Sequence, residues 1–169
     1  MGELIAAAKK SGYYDNTIFV LLADHADEFV ENPSHIPNLY HIPLLMVGAG
    51  VQAGVDETLG SQFDIIPTLM ALCGWNADYA GIGRSLIDSK NPATRASLGI
   101  RGNELDWITP DGWVSHNLER VQGHAPNMNP AQVTQQVQRL LATYQTTSHA
   151  QAHNKIAPPR AAATAAIAP

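Results

Sequence analysis

The sequence is short of cysteine, of clustered basic residues and of long apolar stretches. Cys73 is the only cysteine among the 169 residues. A single cysteine excludes an intrachain disulfide and any metal site built from several thiolates. Because Cys73 lies in the apolar segment TLMALCGW, we expect a buried and unreactive thiol rather than a nucleophile.

Positive charge is scarce as well. The chain has 10 Lys and Arg residues against 15 Asp and Glu residues, which gives a formal net charge of -5. Lys9 and Lys10 are the only adjacent basic pair. This balance argues against nucleic acid or an anionic membrane surface as a partner, so we expect no nucleic-acid partner.

Apolar runs stay well below the length of a membrane span. None reaches about 18 residues, which argues against a transmembrane helix. The start, MGELIAAAKKSG, lacks the charged and then long apolar pattern of a signal peptide. From the sequence we therefore expect a soluble chain without a signal peptide or a transmembrane segment.

The order of predicted helices and strands is that of an α/β layered domain. Apolar periodicity and turn residues predict helices at 3–11, in QFDIIPTLMALCG and after Asn129. They predict strands at 17–23, at 42–50 and in ASLGIRG and LDWITPDGWVSHNL, with a hairpin turn at Pro110-Asp111-Gly112 and little regular structure at 26–42. We expect one domain over residues 1–155 and a disordered Ala/Pro-rich tail over residues 156–169.

The first predicted strand stops abruptly on Asp24 and His25. Its apolar run suits a strand buried on both faces of a parallel sheet, and ligands bind at the carboxyl edge of such sheets. A carboxylate and a neutral imidazole both bind Zn²⁺ or Mn²⁺ at roughly 2 Å. The alternative is that Asp24 caps a turn and His25 is a solvated loop residue. Three further acids follow in the loop: Asp27, Glu28 and Glu31.

Four motifs resemble one family in matching order and spacing. The motifs lie within residues 3–90 and are YYDNTIFVLLADHADE, HIPLLMVGAG, SQFDIIPTLMALCG and GIGRSL. Together they are similar to the sulfatase-like branch of the alkaline phosphatase superfamily. The likeness is greatest to the lipoteichoic acid synthase and phosphoglycerol or phosphoethanolamine transferase group. It implies a three-layer αβα sandwich of alkaline phosphatase type, represented by its C-terminal part.

The resemblance assigns roles to four residues. Asp24 and His25 match the family's ligands for a catalytic divalent metal, which would be Mn, Zn or Ca. His35 lies in the variable loop, where members of the family often place a histidine that touches substrate. His41 matches the basic or polar position before the IPLL strand, and both histidines are candidates for substrate binding. For both histidines the alternative is a surface imidazole. Asp64 and Thr68 are expected to satisfy backbone N–H donors at a helix start, and Arg84 to have a structural or surface role.

The chain also departs from the family pattern. The family's nucleophile, a threonine, serine or modified cysteine, precedes the strand that ends in Asp-His, and no residue matches it. The position after His25 is Ala26 instead of the usual glycine. The resemblance therefore implies no catalytic nucleophile in this chain and no activity of the chain alone.

Three functional hypotheses follow. The chain is the metal-binding C-terminal portion of a hydrolase or phosphotransferase acting on sulfate or phosphate esters. It is a non-catalytic remnant that binds metal or anions, or it is an unrelated α/β domain. The first hypothesis implies an anionic ester partner (a phospholipid headgroup, a glycan or a sulfate ester) and a parent enzyme on the outer side of the cell membrane. A half-sheet would leave a strand edge unpaired and apolar surface exposed, so we expect partial order, self-association or pairing with the missing N-terminal half.

Overall fold

The computed structural model describes residues 1–26, 33–87, 95–153 and 155–156. The chain divides into two compact units, Met1–Glu57 and Thr58–Pro169. Of the predicted tail at 156–169, only residue 156 falls within the described residues. In the described ranges no helix combines the length and apolar character that a membrane span requires.

In its described residues the first unit has one α-helix, two 3-10 elements and a two-stranded sheet. Helix α1 (Gly2–Lys10) is followed by a 3-10 turn (Tyr14–Asn16), strand β1 (Ile18–Leu22), a 3-10 helix (Pro33–Leu39) and strand β2 (Leu44–Gly48). The 3-10 helix departs from the expected irregular loop. A proline at its first position gives up no helical hydrogen bond, so Pro33 is compatible with that start.

Strands β1 and β2 run antiparallel, with Ile18 opposite Gly48 and Leu22 opposite Leu44. The expectation of a parallel strand buried on both faces is therefore wrong for the described residues. An apolar run in the sequence does not determine whether the adjacent strand is parallel or antiparallel to it. The side chains are only partly buried, and Leu22, Leu44 and Leu45 are exposed.

The described part of the second unit has a four-stranded antiparallel sheet and two α-helices. A 3-10 turn (Gln62–Asp64) continues into helix α2 (Ile65–Leu72). The strands are β3 (Ser97–Arg101), β4 (Glu104–Thr109), β5 (Gly112–His116) and β6 (Val121–His124), in the order β3-β4-β5-β6. Pro110 and Asp111 join β4 to β5 where Thr109 faces Gly112, which confirms the predicted hairpin turn.

Helix α3 (Pro130–Ala152) packs on this sheet and closes the core. Asn129 caps it as predicted: its side chain accepts a hydrogen bond from the Gln132 backbone N–H at 3.0 Å. Side chains from β4, β5, α3 and the connection between β6 and α3 form the buried cluster, namely Leu105, Trp107, Val114, Ala125, Met128 and Leu140.

Cys73 is exposed, which contradicts the expected buried thiol. The residue is the C-cap of α2, so it lies beyond the last full helical turn. The apolar neighbours in TLMALCGW share the helix but do not enclose its end. Trp75, two residues further on, is also 66% exposed.

Candidate functional site

Asp24 and His25 lie side by side just beyond the end of β1. The His25 backbone N–H donates to Asp24 Oδ1 at 3.1 Å, and His25 Nε2 lies 3.9 Å from the same oxygen. Both side chains face solvent, with exposed fractions of 92% for Asp24 and 68% for His25. The sequence-predicted pair therefore has its carboxylate and imidazole close together and accessible.

The imidazole of His25 is oriented by a backbone carbonyl. Nδ1 lies 2.8 Å from the Ala26 carbonyl oxygen. A carbonyl only accepts, so this hydrogen bond requires a proton on Nδ1 and leaves the ring's lone pair on Nε2. Metal-bound histidines commonly have this arrangement, in which the second ring nitrogen donates to a carbonyl.

The donor pair fits a divalent cation. A ligand atom lies at roughly 2.0–2.2 Å from Zn²⁺, so two donors around one ion are separated by no more than about 4.4 Å. The 3.9 Å between Asp24 Oδ1 and His25 Nε2 is within that limit. Two donors do not complete a coordination shell, so further ligands are needed for tight binding.

The β1–β2 register brings His41 to the same end of the sheet. Leu22 faces Leu44, and Asp24 follows Leu22 by two residues while His41 precedes Leu44 by three. His41 is exposed there. His35 lies within the 3-10 helix Pro33–Leu39, and its side chain lies outside the described part of the chain.

The acidic loop residues Asp27, Glu28 and Glu31 also lie outside the described residues. Among the residues that the structure does describe, no group of three or more His, Cys, Asp or Glu side chains converges on one point. The structure thus brings Asp24 and His25 together, with no third such side chain beside them in the described ranges.

The second unit has a polar network around the start of α2. Asp64 is 7% exposed; its Oδ2 accepts from the Ser61 N–H at 3.0 Å and its Oδ1 from the Arg84 N–H at 2.7 Å. Thr68 Oγ1 accepts from the Leu86 N–H at 2.8 Å. These contacts confirm that Asp64 and Thr68 satisfy backbone donors, partly in the GIGRSL segment.

Arg95 completes this network and was not anticipated from the sequence. Its guanidinium is 5% exposed and lies 3.7 Å from Asp64 Oδ2. It also donates to the carbonyls of Arg84 and Ser85. A buried charge needs such a partner and such hydrogen bonds. An isolated arginine in the sequence carries no local signal that would reveal this role.

Comparison with known families gives a match to the N-terminal part of the chain. Residues 1–75 match the family model of the sulfatases. The matched range contains β1, β2, α2 and the Asp24–His25 pair. The sulfatase likeness seen in the motifs is confirmed over this range.

Curated proteins with similar sequences carry sulfatase names. The chain is 33% identical to arylsulfatase K of Danio rerio over 93 residues, which is 52% of this chain and 18% of that protein. It is 27% identical to arylsulfatase K of Bos taurus over 114 residues, or 64% and 21%. It is 32% identical to an endo-4-O-sulfatase of Bacteroides thetaiotaomicron over 80 residues, or 43% and 16%. The chain thus spans about a fifth of these relatives.

A solved structure shows the same fold. A protein of the alkaline phosphatase superfamily from Vibrio parahaemolyticus superposes with a TM-score of 0.79 and 26% sequence identity. The match covers 94% of this chain and 40% of that protein. The described chain therefore has an α/β fold of the alkaline phosphatase superfamily, as the motifs predicted.

Proposed function

We propose that this chain is the metal-binding part of a sulfate ester hydrolase of the alkaline phosphatase superfamily. One observation carries the proposal: Asp24 Oδ1 and His25 Nε2 lie 3.9 Å apart and exposed at the end of β1. They do so within the segment that matches the sulfatase family model.

Asp24 and His25 would hold a divalent cation: Mn²⁺, Zn²⁺ or Ca²⁺. Such an ion polarises the ester oxygens and lowers the pKa of a hydroxyl nucleophile. Asp24 contributes the negative charge that favours cation binding, and His25 contributes a neutral donor. The hydrogen bond from His25 Nδ1 to the Ala26 carbonyl fixes the ring orientation before any ion binds.

The proposed substrate is a sulfate ester, for example on a glycan. The similar curated proteins are named as sulfatases, which favours sulfate over phosphate esters. His41 and His35 are the candidates to contact the anionic ester. The motifs also predict phosphoglycerol or phosphoethanolamine transfer to or from a phospholipid headgroup. Such transfer implies a membrane-tethered parent enzyme. Both stay predictions from the motifs.

The nucleophile is proposed to come from the part of the fold that this sequence does not match. The chain aligns with 18–21% of the arylsulfatase K relatives described above. Cys73 is an unsuitable substitute because it follows α2, whereas the family's nucleophile precedes the strand that carries the metal ligands. The chain alone is therefore expected to hydrolyse no ester. The alternative function is a non-catalytic remnant that binds metal or anions.

The first experiment is to sequence the DNA immediately upstream of Met1. The proposal expects an open frame that encodes a strand followed by a threonine, serine or cysteine nucleophile. A stop codon immediately upstream would overturn the catalytic proposal and leave only the metal-binding module to be tested.

The second experiment is to express the upstream polypeptide together with this chain and to assay 4-nitrophenyl sulfate and 4-nitrophenyl phosphate. We expect hydrolysis of the sulfate ester only when both parts are present. Asp24→Asn should lower kcat at least about a hundredfold, because the proposed site loses a direct metal ligand. Loss of a residue that only supports a ligand already lowers metal affinity or activity about 10–100-fold. Asp15→Asn, an exposed control in the same unit, should leave kcat unchanged.

A further inference from the structure

Helix α3 ends in two stacked histidines. His149 lies in its last turn, and His153 is its C-cap. The centroids of the two imidazole rings are 4.0 Å apart, and the ring planes are inclined to each other by 28°. Residues four positions apart are neighbours on a helix surface. The end of α3 therefore presents two imidazoles side by side.

Both histidines lie on the outer face of α3. His149 follows the buried Leu140 by about two and a half turns, which places it on the opposite side of the helix. His149 and His153 are both exposed. Between Arg139 and Lys155 the sequence has no Asp, Glu, Lys or Arg. An ion that approaches the pair therefore displaces water, and no cationic side chain of this stretch repels it.

The His153 ring is oriented by the helix backbone. Its Nδ1 lies 2.8 Å from the His149 carbonyl oxygen, which also accepts from the His153 backbone N–H at 3.1 Å. A carbonyl only accepts, so the ring contact requires a proton on Nδ1 and leaves the lone pair of the neutral ring on Nε2. Histidines that bind a metal through one ring nitrogen commonly donate to a carbonyl from the other.

The His149 ring is the adjustable member of the pair. In the part of the chain that the structure describes, this ring takes part in no hydrogen bond or ion pair. It can therefore turn a nitrogen towards His153 Nε2 without breaking one. A ring nitrogen binds Zn²⁺ at about 2.0–2.1 Å, so two such donors on one ion are at most about 4.2 Å apart. The 4.0 Å between the ring centroids brings the two rings close enough for that geometry.

The two donors favour one class of ion. Imidazole nitrogen suits Cu²⁺, Ni²⁺ and Zn²⁺, whereas Ca²⁺ and Mn²⁺ suit oxygen ligands. At a given site the affinity for divalent ions of the first transition row rises from Mn²⁺ to Cu²⁺ and is lower again for Zn²⁺. The partial negative charge at the C-terminal end of a helix adds attraction for any cation. Water molecules complete the coordination shell.

We infer that His149 and His153 form a chelating site for a divalent transition-metal ion, with Cu²⁺ bound more tightly than Zn²⁺. The bound ion joins two residues one helical turn apart, so it also holds the last turn of α3 against fraying. The site uses neither Asp24 nor His25, and it stands independently of the proposed function.

The test is titration of the 169-residue chain with Cu²⁺, followed by calorimetry and by electron paramagnetic resonance. We expect the tightest site to show two nitrogen ligands. His149→Ala and His153→Ala should each weaken it at least about tenfold, because loss of a residue that only supports a metal ligand already lowers affinity about 10–100-fold.

His124→Ala is the matched control. Its Nδ1 also lies 3.0 Å from a backbone carbonyl oxygen, that of Ala125, but in the described ranges no second imidazole stacks on it. His124→Ala should leave the Cu²⁺ affinity unchanged. Equal weakening by His124→Ala and His149→Ala would overturn the inference.

A second variant tests the spacing of the histidines rather than their number. His153→Ala/Gln151→His keeps the seven histidines of the chain but leaves His149 two positions from its nearest partner. Residues two apart do not face each other on a helix. We expect this variant to bind Cu²⁺ as weakly as His153→Ala alone, and parental affinity would contradict chelation by the pair.

Zn²⁺ tests the effect on the helix end. At about ten times its Kd, Zn²⁺ should slow hydrogen exchange of the His153 amide about tenfold, because an ion bound only by the closed turn protects it by a factor of 1 + [L]/Kd. Unchanged exchange at that concentration would overturn the inference.

Asp24→Asn/His25→Ala separates this site from the end of β1. We expect the double variant to keep the parental Cu²⁺ affinity at α3 and the parental response of the His153 amide to Zn²⁺. Loss of both in this variant would place the ion at the Asp24–His25 pair and overturn the α3 site.

Discussion

Asp64 Oδ1 accepts a 2.7 Å hydrogen bond from the backbone N–H of Arg84, and Asp64 Oδ2 lies 3.7 Å from the buried guanidinium of Arg95. One carboxylate thus joins the start of α2 to the GIGRSL segment and to Arg95, two residues before β3. The relationship explains how a segment with little regular structure of its own is held in a defined place.

Replacing Asp64 by Ala should strongly destabilise the second unit. The substitution leaves Arg95 buried with no acidic partner and leaves the Ser61 and Arg84 N–H groups without their acceptor. Breaking a buried pair in this way costs about 3–5 kcal/mol of unfolding free energy. Urea denaturation followed by circular dichroism would measure it. The control Asp78→Ala removes an exposed acid and should change the free energy by less than about 0.5 kcal/mol.

The pairing of β1 with β2 should depend on Gly48. Gly48 has a φ of +133°, and a Cβ there would lie 2.0 Å from the Thr17 carbonyl oxygen. Gly48→Ala should therefore cost at least about 2 kcal/mol, from backbone strain and the clash. It should also speed hydrogen exchange of the β1 and β2 amides. Gly54→Ala, where a Cβ meets nothing within 4 Å, should leave exchange unchanged, and equal effects would refute the argument.

Trp107 should be sensitive to loss of its indole N–H. Trp107→Phe keeps an aromatic ring in the core but leaves the buried Gln136 oxygen without the 3.0 Å hydrogen bond. An unsatisfied buried acceptor costs about 1–3 kcal/mol. The matched control is Trp75→Phe, because Trp75 is 66% exposed. If chemical denaturation shows the same midpoint for both variants, the hydrogen bond contributes nothing to stability.

The chain should self-associate through its two-stranded sheet. Within the described ranges β1 pairs only with β2, so each strand has a further edge, and Leu45 is 47% exposed. Exposed edges and apolar side chains favour association. Sedimentation should show species heavier than the monomer that diminish in Leu45→Lys. Val55→Lys, at an 87% exposed position outside the sheet, is the control, and a monodisperse parent monomer would contradict the prediction.

The parts predicted correctly from the sequence are those encoded locally. Short stretches of sequence predict the Asn129 cap, the Pro110–Asp111 turn and the placement of Asp24 and His25 at a strand end. The motif order also led to the correct fold, which the structural comparison confirms.

The missed features depend on contacts between distant segments. An apolar run does not specify its partner strand, so the antiparallel β1–β2 pairing was not predicted. The ion pair of Arg95 with Asp64 arises from tertiary packing. Exposure of Cys73 follows from its place at a helix end, which an apolar pattern does not register.

The measurement that most directly tests the central claim is Mn²⁺-induced broadening of the NMR resonances of the 169-residue chain, a probe suited to a weak site with few ligands. We predict selective broadening of Asp24, His25 and neighbouring amides, lost in the double variant Asp24→Asn/His25→Ala and kept in Asp15→Asn/His124→Ala. Equal broadening of these resonances in both double variants would contradict metal binding at the end of β1.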